Sequence, residues 1–138
     1  MRSRVQVVDS SVIIRATTTQ DVAERERLQD LIADSPVVIA HVLAESYATL
    51  TGLPQPFRLT PSDCLAFLSS AFSSEPVSLS SVGYVRVLEL LAERGLVGGA
   101  IYDCLIAESA REHDAVLMSL DHRAAVRYSL VGADFQLL

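Results

Sequence analysis

Acidic side chains stand in four separate stretches of the chain, three of them at points where an α/β fold brings residues together. Asp9 closes the apolar pair Val7-Val8 and precedes Ser10-Ser11. Glu45 interrupts the helical stretch Leu43-Ala44-Glu45-Ser46-Tyr47. Asp103 follows the glycine pair of Gly98-Gly99-Ala100-Ile101-Tyr102-Asp103, and Asp121 follows Val116-Leu117-Met118-Ser119-Leu120. Gathered carboxylates suit a hard divalent cation such as Mg²⁺. Without a counter-ion, close carboxylates repel and resist burial. A cation resolves that conflict, lowers the pKa of bound water, orients a phosphate oxygen and stabilises transition-state charge. Two cations about 4 Å apart divide the work between nucleophile and leaving group.

Each acid also has a plainer reading. Asp9 can cap the turn that follows it, Asp103 can serve as a helix-dipole partner, and Asp121 can start a turn toward His122 and Arg123. Glu45 has the weakest positional claim, because an acid on a helix is usually solvated. Ser10, Ser11 and Ser119 are candidates to orient a ligating carboxylate, with Ser11 and Ser119 the preferred pair. No GxSxG, P-loop, GxGxxG or HExxH pattern is present, and His41, His113 and His122 lack close ligand spacing.

The surrounding pattern supplies the elements that would carry these residues. Residues 5–8 read as a short buried strand, and 21–33 as a helix with Ala23, Leu28, Leu31 and Ile32 on one side. Strands are expected at 36–40 and 75–79, and a helix at 41–51 ended by Gly52 and Pro54. Thr60-Pro61-Ser62-Asp63 is a strong helix start. Ser80 or Ser81 caps a helix running to Arg94, closed by Gly95. A helix over 99–113, a strand over 115–120, a short helix over 122–127 and a last strand over 134–138 complete the chain. Short apolar strands alternating with amphipathic helices predict a three-layer α/β/α sandwich with a mainly parallel sheet. In such a sheet ligands bind beyond the C-terminal strand ends, where Asp9 and Asp121 fall. The helical pair at 41–73 offers a dimer surface.

A length of 138 residues fits one domain, 1–138, and half of those residues are apolar. The formal charge of −6 argues against a broad cationic nucleic-acid-binding face. It leaves room for a nuclease whose arginines act locally; all basic residues are arginine. Cys64 and Cys104 read as small buried hydrophobes. The basic start Met1-Arg2-Ser3-Arg4 reaches Asp9 too soon for a signal peptide, and no stretch suits a membrane span, so a cytoplasmic protein is expected.

On Val8-Asp9-Ser10-Ser11, Ala44-Glu45-Ser46-Tyr47, Tyr102-Asp103-Cys104-Leu105-Ile106-Ala107 and Leu117-Met118-Ser119-Leu120-Asp121, the chain resembles the PIN-domain family, specifically VapC-type toxins of bacterial toxin–antitoxin pairs. The resemblance spans nearly the whole chain. It implies an Mg²⁺- or Mn²⁺-dependent endoribonuclease with Asp9, Glu45, Asp103 and Asp121 as its acidic pocket. Asp9 and Asp103 would be the main metal contacts. Glu45 would hold a water on the metal or assist its deprotonation, and Asp121 would complete the pocket directly or through water. Ser11 and Ser119 would fill the family's hydroxyl positions. Water would attack a phosphodiester in line, leaving a 5′-phosphate and a 3′-hydroxyl. The implied substrate is tRNA or a ribosomal RNA loop. The implied partners are a cognate antitoxin and a second copy of the chain, in a heterotetramer or larger assembly.

RNA contact then falls to local arginines. Arg15 and Arg123 follow candidate ligands most closely, and Arg86, Arg111 and Arg127 are further candidates to rim a groove. Tyr102 could stack on a base. Two other readings stay open: a PIN-like nuclease acting on DNA or in RNA maturation without an antitoxin, and a non-catalytic partner-binding domain. A phosphotransfer receiver domain fits poorly, since it needs paired acids after the first strand and a late lysine, and the chain has no lysine.

Overall fold

The computed structural model describes residues 4–138; Met1-Arg2-Ser3, most of the basic start, lie outside the described residues. The first strand, β1 (Val5–Val8), runs straight into Asp9, whose side chain caps helix α1 (Ser10–Thr18). Helix α2 (Val22–Ala33) follows, capped by Asp21, whose carboxylate accepts from the Glu24 amide at 3.1 Å. Helices α3 (Ala40–Gly52) and α4 (Pro61–Ala71) form the next pair. Thr60 accepts from the Asp63 amide and Pro61 takes the first turn, as the sequence predicts. Helix α5 (Ser81–Arg94) is capped by Ser80 and ends on Gly95, whose φ of 66° is the left-handed geometry that favours glycine. Helix α6 (Ala100–Glu112), strand β2 (Ala115–Ser119), helix α7 (His122–Val131) and strand β3 (Phe135–Leu137) close the chain.

The sheet order is β1-β2-β3, all parallel. Val8 lies opposite Met118, and Ser119 lies opposite Leu137, so β1 and β2 end side by side. Helices cover the sheet in a three-layer α/β/α arrangement, as expected. The core gathers Val7, Val8, Val12, Ile13, Ile39, Leu50, Ile106 and Leu117, all at or below 1% exposure. Helix α6 is buried along most of its length, including Cys104 and Ala107, because it packs against β2 and helices on either side. Glu108 lies on that helix at 1% exposure and is neutralised by Arg86 from α5 and Arg111 from its own next turn. Cys64 and Cys104 are free and buried, and burial pushes both thiols up.

Three expectations change. The strands expected at 36–40 and 75–79 reduce to a single parallel bridge between Ile39 and Val77. Pro36 and Pro76 lack amide donors, and α3 takes over the chain at Ala40, so the ladder cannot lengthen. Helix α1 occupies residues assigned no element, since Asp9 caps it and Val12, Ile13 and Ala16 give it a buried face. Helix α7 runs four residues beyond the expected end, to Val131, because Tyr128 and Val131 continue its buried stripe. The α3–α4 pair packs into the core through Val42, Leu50, Cys64 and Leu68, leaving Tyr47 and Leu65 exposed on its outer side.

Candidate active site

The paired ends of β1 and β2 position the first two acids. The Asp9 amide donates to the Met118 carbonyl at 3.1 Å, extending the ladder one residue past β1. The Asp9 side chain, 3% exposed, then turns inward. Its Oδ1 accepts from the Ser11 amide at 3.0 Å and from the Ser11 hydroxyl, and its Oδ2 accepts from the Tyr128 hydroxyl at 2.8 Å. Ser11 Oγ also accepts from the Leu120 amide at 2.9 Å and lies 3.5 Å from Ser119 Oγ. Ser119 Oγ accepts from the Asp121 amide at 2.9 Å. The two serines therefore tie the loop after β1 to the loop after β2. Asp121 caps α7, with Oδ1 accepting from the Arg123 and Ala124 amides at 2.9 and 3.1 Å. Asp9 and Asp121 thus perform the plain capping roles as well as standing at adjacent strand ends.

Glu45 comes from α3 and is half-buried. Its Oε1 accepts from the Ser10 hydroxyl at 3.1 Å, and its Oε2 lies 3.7 Å from His41 Nε2. The His41 ring stacks on Tyr102, with centroids 5.6 Å apart and planes within 6°. Tyr102 therefore has an internal stacking partner. Asp103, on the first turn of α6, receives the Arg127 guanidinium at 3.1 Å from Nη1 to Oδ2. Burial pushes the Asp103 carboxyl up, Arg127 opposes that rise, and the charges of Glu45, Asp121 and Asp9 add to it. The charges of three acids from three other segments thus bear on Asp103. Burial and the Asp9 charge likewise drive the Tyr128 phenol far above its ordinary range, so its hydroxyl stays a donor.

The donor set fits a hard divalent cation in its chemistry: carboxylate oxygens, mutual repulsion and neighbouring hydroxyls. The residues that could hold one are Asp9, Glu45, Asp103 and Asp121. Among the described residues, no group of three or more His, Cys, Asp or Glu side chains stands close enough to form a ready-made cage. The physical reason lies in the partners: Arg127 engages Asp103, Tyr128 and Ser11 hold Asp9, and Asp121 turns toward the α7 amides.

The sequence reading missed Tyr128 and did not foresee Arg127 as a partner of Asp103. A tyrosine on the buried stripe Ala124, Tyr128, Val131 was the available signal, hidden once the helix was ended at Arg127. Arg15 spends its guanidinium on Glu24, with Nε 2.7 Å from Oε1. Arg123 makes no ion pair among the described residues, and His122 is exposed.

A short parallel sheet between helices, with carboxylates clustered beyond adjacent strand ends, defines an α/β domain with an acidic cleft. The PIN domain matches residues 7–129, and the chain belongs to that family. It is homologous to VapC-family ribonuclease toxins. It is 35% identical over 125 residues to Ribonuclease VapC27 of Mycobacterium tuberculosis, covering 91% of this chain and 90% of that protein. It is also 35% identical over 101 residues to Ribonuclease VapC40 of the same organism, covering 73% of this chain and 75% of that protein. The fold matches VapBC2 from Rickettsia felis, solved bound to a DNA fragment from its promoter, with a TM-score of 0.69 at 17% identity over 97% of this chain and 98% of that one. DNA-bound VapBC from Salmonella typhimurium gives the same TM-score at 20% identity, over 97% of this chain and 98% of that one. Among the described residues no helix is long and apolar enough to cross a membrane.

Proposed function

We propose that the chain is a metal-dependent endoribonuclease toxin that cuts structured RNA, tRNA or ribosomal RNA, works as a homodimer and is silenced by a cognate antitoxin. The observation that supports this reading is the meeting of Asp9 and Asp121 at adjacent strand ends, cross-tied through Ser11 and Ser119, with Glu45 bonded to Ser10 of the same loop and the charges of these acids raising the Asp103 carboxyl. The homology to ribonucleases of the VapC kind supports the substrate class.

Bound Mg²⁺ or Mn²⁺ would supply charge stabilisation for the phosphoryl centre and a more acidic attacking water. Asp9 is pre-oriented for cation binding by two donors on Oδ1 and one on Oδ2. Asp103 faces it from α6. Glu45, fixed through Oε1 by Ser10, keeps Oε2 to accept the proton of the attacking water. In-line attack on phosphorus breaks the bond to the ribose 3′-oxygen, leaving a 3′-hydroxyl and a 5′-phosphate. Asp121 adds negative field while its own Oδ1 stays bound to the α7 amides.

The test is end-mapped cleavage of total cellular RNA by the purified, partner-free chain with Mg²⁺ or Mn²⁺, beside EDTA and Asp9→Asn controls. Discrete cuts bearing 5′-phosphates, lost in both controls, are expected. Folded protein that leaves RNA intact with either metal, or that cuts only DNA, would overturn the proposal.

A further inference from the structure

A groove of roughly 800 Å³ opens beside the acidic cleft, between the end of α5 and one face of α7. Its α7 wall carries Arg123, Val126, Arg127 and Leu130, spaced as one helical face. Its opposite wall carries Arg94 and Leu96. The two cavities share a side chain: Arg127 lines the groove and also donates to Asp103. Arg127 therefore links the groove to Asp103.

The charge here reverses the trend of the molecule, whose net charge is −6. Arg4, Arg15, Arg86 and Arg111 are all engaged by carboxylates. Arg94 and Arg123 have no carboxylate partner among the described residues, and both are exposed. Unpaired guanidiniums flanking an apolar floor suit a ligand with repeated anions and flat apolar faces. Val126, on the α7 wall one turn from Arg123, is 71% exposed. A single-stranded phosphodiester has this character, with phosphates for the forks and ribose or base faces for the aliphatic surface. Arginine planes can also stack on unpaired bases.

Building on the nuclease reading above, we infer that this groove is the RNA-strand subsite, with Arg94 and Arg123 each holding a backbone phosphate and Val126 supporting the sugar–base face between them. Such contacts fix the register of the strand on the cleft without reading its sequence.

The test measures binding of fluorescein-labelled oligouridylate to the full chain in EDTA, by anisotropy across a sodium chloride series. Each lost phosphate contact lowers the slope of log affinity against log salt by about 0.7 for a single strand. Arg94→Gln and Arg123→Gln should each flatten the slope by about that amount, and the double variant by about 1.4. Val126→Glu should weaken binding with both arginines retained, and Arg58→Gln, whose guanidinium binds the Leu53 carbonyl, should leave the slope unchanged. Thermal melts confirm that the variants fold. If the unsubstituted chain cuts and binds RNA while the double variant keeps its full slope, the subsite assignment fails and the groove is left to an acidic protein segment. If the unsubstituted chain neither binds nor cuts RNA, the nuclease reading fails and takes this inference with it.

Discussion

Removing one oxygen, by Tyr128→Phe, probes how the fold holds its most buried acid. The ring would keep its place: Tyr128 is 1% exposed and meets Phe135 edge-on at 6.0 Å between centroids. Only the hydroxyl donated to Asp9 Oδ2 at 2.8 Å would go. Asp9 is itself 3% exposed, so water cannot easily replace that donor. A hydrogen bond to a buried charge contributes about 1.5–3 kcal/mol. For a chain of this length that corresponds to a melting shift of about 5–10 °C.

The same hydroxyl gives a second signature at high pH. The unfolded phenol ionises near its ordinary value of 10.0, while the folded phenol is held protonated by burial and by Asp9. Above that pH the unfolded state binds fewer protons, so stability falls as pH rises. Tyr128→Phe should remove this part of the alkaline slope. Asp9→Asn weakens the shared bond, so a double-mutant cycle should return a coupling of about 1 kcal/mol. Thermal and urea melts across pH provide the assay. A melting shift under about 2 °C with additive single effects would refute the reasoning.

Arg127→Ala removes the positive charge sitting on Asp103, and Mn²⁺ affinity by calorimetry should rise at least about tenfold, since like charges a few Å apart repel by several kcal/mol even at an effective dielectric near 20; an unchanged affinity would show that Arg127 does not compete with a cation. Asp103→Asn should stabilise the metal-free protein at neutral pH, because burial and the neighbouring acids raise the folded carboxyl. A raised folded carboxyl binds its proton more tightly than the unfolded one, so the gain should shrink as pH falls through the folded range toward 3.8; a gain that grows in acid would reverse the assigned sign. Glu108→Gln should cost about 2 kcal/mol in urea melts, since it discharges a 2% exposed carboxylate that joins Arg86 and Arg111, whose own 44% exposure discounts the buried-pair figure.

Local signals made most of the helices legible before any coordinates. Thr60-Pro61 and Ser80 with Gly95 are caps whose chemistry acts within one turn, and the structure uses each of them. The acids at the ends of β1 and β2 were legible because a strand end is visible as the close of an apolar run. Helix α1 was not, since Ser10, Ser11 and Thr17-Thr18 favour non-helical backbone locally and burial of Val12 and Ile13 overrides that preference. The bridge at Ile39 and Val77 was overread as two strands because apolar composition outweighed the prolines beside it. Partners such as Arg127 for Asp103 and Tyr128 for Asp9 lie 24 and 119 residues apart, and no local pattern encodes such pairs.

The acids of the cleft are restrained by different means, and that difference orders how readily each can change partner. Asp9 is held by three donors from two helices and cannot turn without losing the hydrogen bonds from Ser11 and Tyr128. Asp121 is bound to the backbone of the helix it starts, so releasing it would uncap α7. Glu45 is held on Oε1 by the Ser10 hydroxyl and has His41 Nε2 3.7 Å from Oε2. Asp103 is held by one side chain, Arg127, that is 35% exposed and also lines the neighbouring groove. The cleft therefore has a rigid half on the strand ends and an adjustable half on α3 and α6. Asp9 and Asp121 would hold a cation with oxygens already fixed, Glu45 and Asp103 with oxygens that can turn, and Arg127, which would have to leave Asp103, also lines the groove inferred to hold the RNA phosphates. Metal entry and strand binding would then favour each other through Arg127, so RNA should raise Mn²⁺ affinity in the unsubstituted chain and lose that effect in Arg127→Ala.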